Sequence, residues 1–146
     1  MILSIDPGDK RVGIARWTDM GELLFNETLN FEDYLNYLCL NGDAGGWNPK
    51  TIVVEDWRLR QGKGVKMTGS SFLSAQCIGA AKLLAVECQA ELVLQSPQIL
   101  RVAAMHFGIK LSSGHIDDAL SAKLHGLYYF ETQGILEGNG AAMLDS

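Results

Sequence analysis

The alternation of apolar and polar residues divides the first part of the chain into predicted strands. Met1–Ile5 and Val12–Trp17 are short apolar runs, and Glu22–Leu29 is a third extended segment. The connecting sequences, DPGD at residues 6–9 and TDMG at residues 18–21, are typical of turns because proline presets φ and glycine allows positive φ. Consecutive extended segments joined by short turns predict an antiparallel meander of three strands.

The rest of the chain mixes helical and strand patterns. Apolar residues recur at helical spacing over residues 31–39, and Thr51–Val54 is a β-branched run that suits a buried central strand. A long helix over about residues 70–89 precedes a short strand, Leu92–Leu94, and this strand–helix–strand order predicts parallel pairing. Two further helices are predicted over about residues 97–107 and 116–131.

The order β-β-β-α-β-α-β-α-α predicts one α/β domain over residues 1–131. Its sheet is expected to be mixed and five-stranded, with a three-strand antiparallel meander plus two parallel strands, flanked by helices. Residues 132–146 are expected to form a flexible tail. The composition, with 47% apolar and 20% charged residues, is that of a globular protein. No apolar run approaches the ~20 residues of a membrane span, so we expect a cytoplasmic protein without membrane contact. Three cysteines without a CxxC pair fit a reducing compartment.

The long helix has apolar residues on two sides, separated by polar stripes. A helix of this kind must bury both sides. One side can cover the sheet, and the other can pack against another helix of the chain or against a second subunit, so we expect a homodimer. The candidate dimer side consists of Leu73, Cys77, Ala80, Ala81, Leu84 and Cys88. The pattern leaves open whether this side or the opposite one, which contains Leu83 and Val86, forms the dimer.

Acidic residues stand at the ends of two predicted strands and at the start of the last helix. Asp6 follows the first strand and Glu55 closes the central one, while His115 and Asp118 lie three residues apart and share a helix face. Ligands bind at the carboxyl ends of strands in open parallel sheets, so these four side chains can meet at one edge. Carboxylates suit Mg²⁺ or Mn²⁺, and two such ions roughly 4 Å apart can promote phosphodiester hydrolysis. Turn chemistry or helix capping would explain each acid alone, and only the combination predicts a metal site.

A basic, glycine-rich segment follows Glu55 on a chain whose formal net charge is −5. The acidic balance disfavours non-specific binding to nucleic acid, but the local charge of this segment is positive. Its cations suit phosphate contacts, and Met67 suits an apolar wedge between bases. The candidate DNA-binding residues are Arg58, Arg60, Lys63, Lys66 and Met67, together with Lys110 ahead of the last helix. A solvated loop is the alternative interpretation.

Three segments, taken in order, resemble the RuvC-type Holliday junction resolvases of the RNase H-like nuclease superfamily. They are ILSIDPG at residues 2–8, IVVE at residues 52–55 and HIDDAL at residues 115–120. The resemblance covers about residues 1–130, including the long helix after the basic segment. It implies an RNase H-like fold and a homodimer that cuts four-way DNA junctions by paired nicks with Mg²⁺ or Mn²⁺, with two ions in each active site and no small-molecule cofactor.

The same resemblance assigns roles to individual residues. Asp6, Glu55 and Asp118 match the metal-binding carboxylates, and His115 stands where some members have aspartate and others histidine. The compact chain also resembles phage-encoded members, which can cut other branched DNA and act in the cytoplasm of a bacterial host. Two alternatives remain. The KRVG sequence at residues 10–13 resembles the YqgF type, which is associated with ribosomal RNA maturation, and the fold could serve as a non-catalytic module that binds branched DNA.

Overall fold

The computed structural model describes residues 1–41, 48–56 and 72–138 of the chain. Its strands and helices follow the predicted order, and their boundaries agree with the apolar pattern to within a few residues. The strands are β1 Ile2–Pro7, β2 Val12–Trp17, β3 Leu23–Leu29, β4 Thr51–Glu55 and β5 Glu91–Gln95. The helices are α1 Phe31–Asn41, α2 Leu73–Cys88, α3 Ile99–His106 and α4 Asp118–Thr132.

The five strands form one sheet in the order β3-β2-β1-β4-β5. β1 pairs antiparallel with β2, and β2 pairs antiparallel with β3. β1 pairs parallel with β4, and β4 pairs parallel with β5. The predicted mixed sheet is therefore confirmed. Its central strands are the most apolar, since all six residues of β1 and the first four of β4 are buried.

Helices cover both faces of the sheet and make three layers. Side chains alternate along a strand, so Leu3 and Ile5 of β1 pack with α1 and α2 on one face. Ile2 and Val53 lie on the opposite face with α3 and α4, where the T-shaped contact between Trp17 and Phe130 joins the sheet to α4. The polar groups of the candidate site lie on this α4 face.

The N-terminal end of α4 is held tightly against β2 and β3. A Cβ on Gly13 would lie 1.8 Å from the carbonyl oxygen of Asp118, so only glycine allows the helix to approach this closely. The Asn26 side chain donates a hydrogen bond of 2.7 Å to the carbonyl of Ala119, whose backbone N–H donates to the Thr28 hydroxyl at 3.1 Å. These contacts satisfy backbone groups at the helix start and fix where Asp118 projects.

The structure corrects the expected dimer side of the long helix. Cys77, Ala81 and Leu84 are buried against the sheet within the chain's own core, at 0%, 0% and 5% exposure. The rest of that side, Leu73, Ala80 and Cys88, is half-buried. Leu83 and Val86, on the opposite side, are 60% and 75% exposed. Helical periodicity identifies two apolar sides equally well, and only packing decides which of them the sheet covers.

The chain still packs against the domain after α4, as far as Gly138. A Cβ on Gly21 would touch Leu136, and a Cβ on Gly138 would lie 2.7 Å from His106. Residues 139–146 of the predicted tail lie outside the described residues. Within residues 1–41, 48–56 and 72–138, no helix combines the length and apolar character needed to cross a bilayer. Cys39, Cys77 and Cys88, which all lie among the described residues, form no disulfide bond.

Candidate metal site at the carboxyl edge of the sheet

Polar side chains end three neighbouring strands on the same face of the sheet. Ile5 pairs with Val54, so Asp6 and Glu55 are the next residues along β1 and β4. Glu55 pairs in turn with Gln95, the last residue of β5. Because alternate residues of a strand share a face, Asp6 follows Ile2 and Ser4 onto the α4 side, as Glu55 follows Val53. The parallel register therefore brings the two acids and the amide to one edge.

Helix α4 supplies the rest of the site from one stripe of its surface. Asp118, Ser121 and His125 are spaced at i, i+3 and i+7 and project from the same face of the helix. Ser121 and His125 are buried at 1% and 0% exposure, and the side chain of Asp118 is 16% exposed. The His125 ring hydrogen-bonds Glu55 through Nε2 at 2.9 Å and Gln95 through Nδ1 at 2.8 Å. The helix and the strand ends thus form one connected polar cluster.

The surroundings of Asp6 raise its proton affinity. Burial, chiefly, and then the negative charges of Glu55, Asp118 and Asp9 raise the pKa of Asp6 to about 7. The Ser121 hydroxyl lies beside Asp6 and opposes this pKa shift, because a hydroxyl that donates to the carboxylate favours its ionised form. A bound cation would offset both the burial and the repulsion.

Asp118 lies in a similar electrostatic environment, with His115 close by. Burial, chiefly, raises its pKa, and His115 works in the opposite direction from 3.7 Å, measured between Nε2 and Oδ1. The charges of Asp117, Asp9 and Glu55 raise the pKa of Asp118 further. The His115 side chain is 85% exposed, so it lies at the rim of the site rather than inside it.

The donor chemistry of this cluster fits a hard divalent cation. Asp6, Glu55 and Asp118 offer carboxylate oxygens, and the oxygen of the buried Ser121 hydroxyl beside Asp6 can accept a hydrogen bond from a cation-bound water. Within the described ranges, no group of three or more His, Cys, Asp or Glu side chains converges into a ready-made ligand shell. In proteins Mg²⁺ usually keeps several waters and is held by one or two carboxylates together with substrate phosphate.

A shallow cleft opens beside the acids. It is lined by Asp9, Lys10, Arg11, His115 and Asp118. Its floor depends on Gly8, since a Cβ there would lie 2.9 Å from Asp118 Oδ1. The turn that carries Gly8 is tied to α2 by the Ser74 hydroxyl, which donates to the Gly8 carbonyl at 3.2 Å. The cleft therefore combines acids with two cations from the β1–β2 turn, a mixture suited to a phosphate held next to a metal.

The structure brings some of the expected site residues together. Asp6, Glu55 and Asp118 interact as one electrostatic group, with His115 at its rim. Lys110 is exposed in the loop between α3 and α4. The remaining candidate DNA-binding residues, Arg58, Arg60, Lys63, Lys66 and Met67, lie outside the described residues.

The sequence interpretation missed Gln95, Ser121 and His125. For the two α4 residues a signal was present, since they follow Asp118 at i+3 and i+7 and must share its helix face. Gln95 gave no such signal, because its position opposite Glu55 depends on the strand register. Lys10 and Arg11 were noticed only as part of a motif, and their place in the cleft required the fold.

Comparison with solved structures shows which known proteins share this fold. RuvC from Thermus thermophilus in complex with a Holliday junction superposes with a TM-score of 0.62 at 14% identity, covering 94% of this chain and 98% of that one. A second T. thermophilus RuvC structure gives 0.55 at 18% identity with the same coverage. The chain has an RNase H-like fold. The yeast mitochondrial Holliday junction resolvase Ydc2 shares this fold at a TM-score of 0.53 and 13% identity, over 92% of this chain and 79% of that one.

The likeness to these resolvases is one of fold, since all three identities lie below 20%. The sequence matches no protein-family model and no curated protein sequence.

Proposed function

We propose that this protein is a divalent-metal-dependent nuclease that resolves four-way DNA junctions, and cuts other branched DNA, by paired nicks. The observation that carries this proposal is the electrostatically coupled group of Asp6, Glu55 and Asp118 at the carboxyl edge of an RNase H-like sheet. One solved structure with this fold is a RuvC bound to a Holliday junction, and it superposes over 94% of this chain. The acids favour a metal-dependent nuclease, and the fold shared with RuvC favours a crossover junction endodeoxyribonuclease as its specific activity.

In this proposal Asp6, Glu55 and Asp118 hold Mg²⁺ or Mn²⁺, with two ions in each active site. When bound, these ions supply charge neutralisation of the phosphodiester and a more acidic water. The chain's own groups do the rest. His115, exposed at the rim and close to Asp118, is placed to hold a metal or to orient the attacking water. Ser121 is positioned to accept a hydrogen bond from a water beside Asp6.

The DNA surface is proposed to extend outward from the cleft. Lys10 and Arg11 are exposed residues that line the cleft, where cations can bind phosphates on either side of the scissile bond. The basic segment that follows β4, together with Lys110, would continue this surface along the branch. Because these contacts are made to phosphates, binding should weaken steeply with salt.

Paired nicks on a two-fold-symmetric junction require two active sites, and we propose a homodimer to supply them. The exposed side of α2 suits the contact, since Leu83 and Val86 are open to solvent and a Cβ on Gly79 would meet no atom within 4 Å. An exposed apolar side without a large residue at its centre allows two helices to approach closely.

One observation favours a second candidate function. Lys10 and Arg11, which carry the similarity to the YqgF type, lie in the cleft beside Asp118. An RNA-processing nuclease with the same site would use them in the same way, so the choice of substrate has to distinguish the two.

The test is a cleavage assay on purified protein. Labelled four-way junction, Y-fork, linear duplex and structured RNA are each incubated with Mg²⁺, Mn²⁺ or EDTA. We expect symmetric, metal-dependent nicks in the junction. Asp6→Asn should lower the cleavage rate more than about 100-fold, because loss of a ligand exceeds the ~10–100-fold cost of losing an outer partner.

Ile5→Val is the matched control, since Ile5 precedes Asp6 but points to the opposite face of the sheet. It should cost about 1 kcal/mol of stability and leave cleavage unchanged. RNA trimming without DNA cleavage would transfer the proposal to the YqgF type. Junction binding without cleavage of any substrate would indicate a non-catalytic module, and near-normal cleavage by Asp6→Asn would show that the site is misassigned.

A further inference from the structure

The most deeply buried polar side chain near the site is one that the proposed chemistry does not use. His125 is 0% exposed, yet both of its ring nitrogens are hydrogen-bonded, Nε2 to Glu55 at 2.9 Å and Nδ1 to Gln95 at 2.8 Å. These two hydrogen bonds link Gln95 at the end of β5, His125 in α4 and Glu55 at the end of β4. A buried polar residue is costly unless its partners are satisfied, and here the ring is satisfied on both sides.

The direction of the contact with Glu55 follows from the partners. An ionised carboxylate can only accept a hydrogen bond, so His125 Nε2 carries the hydrogen that lies between it and Glu55 Oε2. The Gln95 amide can meet Nδ1 with either its carbonyl or its amino group, and in both cases Nε2–H still points at Glu55. The contact therefore holds whether the ring is neutral or charged.

The same geometry argues against a role for His125 as a ligand. Both nitrogens are occupied, and the ring is closed off from the cleft. Glu55, by contrast, is 18% exposed and faces the acids on its open side. With Oε2 bound to the imidazole, Oε1 is the oxygen left for an ion.

We propose that His125 and Gln95 are positioning residues that fix the Glu55 carboxylate with Oε1 turned toward the metal. This rests on the proposed function, since it assigns a task within the same metal site. Glutamate has rotatable side-chain bonds, and without a fixed partner its carboxylate would have to be ordered at the expense of binding energy. Partners that orient ligating carboxylates typically change metal affinity by about 10–100-fold when they are lost.

The experiment measures Mn²⁺ binding directly, by the electron paramagnetic resonance signal of free Mn²⁺ over full-length protein without DNA. His125→Phe keeps a ring in the core and removes the N–H, and should weaken Mn²⁺ binding about 10–100-fold. His125→Gln restores an N–H donor and should recover most of the affinity. Gln95→Met leaves the imidazole without its anchor and should weaken binding less than His125→Phe does.

The chain offers a control in its other described histidine–glutamate contact, which is half-buried. His106 Nδ1 lies 2.7 Å from Glu131 Oε1 between α3 and α4, away from the acids. His106→Phe should lower the melting temperature without changing Mn²⁺ affinity. A merely structural role for His125 would produce the same result as His106→Phe, with a lower melting temperature in EDTA and unchanged Mn²⁺ binding.

The outcomes separate this inference from the function on which it rests. Unchanged Mn²⁺ affinity in folded His125→Phe, alongside weakened binding in Asp6→Asn, would overturn the positioning role and leave the metal site intact. Unchanged affinity in Asp6→Asn and Glu55→Gln as well would overturn the metal site itself. Should His125→Phe fail to fold, Gln95→Met decides the matter by the same measurement, because it leaves the imidazole in place.

Discussion

The two faces of the sheet are both well buried, but they differ in what they bury. On the α1 and α2 face the central cluster is apolar, with Leu3, Ile5, Ile52 and Val54 at 0% exposure. On the α4 face the strands carry Ser4, Asp6 and Gln95 into the interior beside His125. Side chains on the first face can adopt the arrangement that packs best. The second face holds acidic side chains close together, which lowers the free energy of unfolding.

The two faces contribute differently to the free energy of unfolding. The apolar face supplies stability through burial, about 25 cal/mol for each Å² removed from water. The α4 face offsets part of this stabilisation, since a buried carboxylate without a bound cation lowers the free energy of unfolding. Changes on the apolar face should therefore alter stability alone, whereas neutralising one of the clustered acids should weaken metal binding and raise stability.

The largest effect should come from adding one methyl group where α4 meets the sheet. Gly13→Ala would place a Cβ 1.8 Å from the Asp118 carbonyl oxygen, so the start of α4 has to move away. We expect a loss of about 3 kcal/mol in the free energy of unfolding, measured by urea denaturation, together with weaker Mn²⁺ binding as Asp118 is displaced.

The control is another glycine-to-alanine change, at a position with free space. Gly79 lies in α2, and a Cβ there would meet no atom within 4 Å. Gly79→Ala should raise the stability of the monomer, measured at protein concentrations too low for a dimer, by roughly 0.5–1 kcal/mol, because alanine is the better helix former. Equal effects at the two glycines would show that α4 does not dock as closely as described.

The second prediction compares two adjacent leucines of α2. Leu84→Ala should cost roughly 2 to 3 kcal/mol in urea denaturation, because Leu84 is 5% exposed in the apolar core. Leu83→Lys should hardly change the stability of the monomer, since Leu83 is 60% exposed, but it should convert a dimer into a monomer in light scattering. A dimer that survives Leu83→Lys and Val86→Lys together would place the subunit contact elsewhere.

The smallest effect is on the pH dependence of stability. In the folded protein the pKa of Asp6 is raised to about 7, so the folded state holds a proton that the unfolded chain loses near pH 4. Stability is therefore highest below about pH 4 for this group and falls as the pH rises toward about 7. Relative to Asp6→Asn, the free energy of unfolding of the wild type should fall over this window by more than about 1 kcal/mol, the equivalent of one pKa unit.

Metal provides the check on that interpretation. Mg²⁺ favours the ionised carboxylates, so saturating Mg²⁺ should remove most of the fall in the wild type and leave Asp6→Asn unaffected. A wild-type profile parallel to that of Asp6→Asn in EDTA would mean that Asp6 is not held in a destabilising environment.

Much of the fold follows from local sequence patterns. The turn sequence after Ile5 and the β-branched run before Glu55 placed two acids at the ends of strands, and the spacing of His115 and Asp118 placed two more groups at a helix start. The boundaries of the strands agree with these patterns because alternation and turn chemistry are local properties. The same locality explains why the side of α2 that packs on the sheet was not predicted, since the apolar pattern is similar on both sides of this helix.

The site was less predictable than the fold. Asp6, Glu55 and Asp118 carry recognisable motifs, whereas Gln95 enters the site only because β5 pairs with β4 in a register that sets it opposite Glu55. His125 was overlooked because a single histidine in a helix usually belongs to the core. Its partners come from residues 30 and 70 positions earlier in the chain.

Local sequence patterns were enough to predict the order of the elements, the mixed character of the sheet and the acids near the carboxyl ends of β1 and β4, because periodicity and turn chemistry act over a few residues. The other features arise only in the folded protein. Folding brings the acids to the α4 face, raises the pKa of Asp6, packs one side of α2 into the core and links Gln95, His125 and Glu55 by hydrogen bonds. These features depend on burial and on the approach of distant segments, and such distances exist only once the chain has folded.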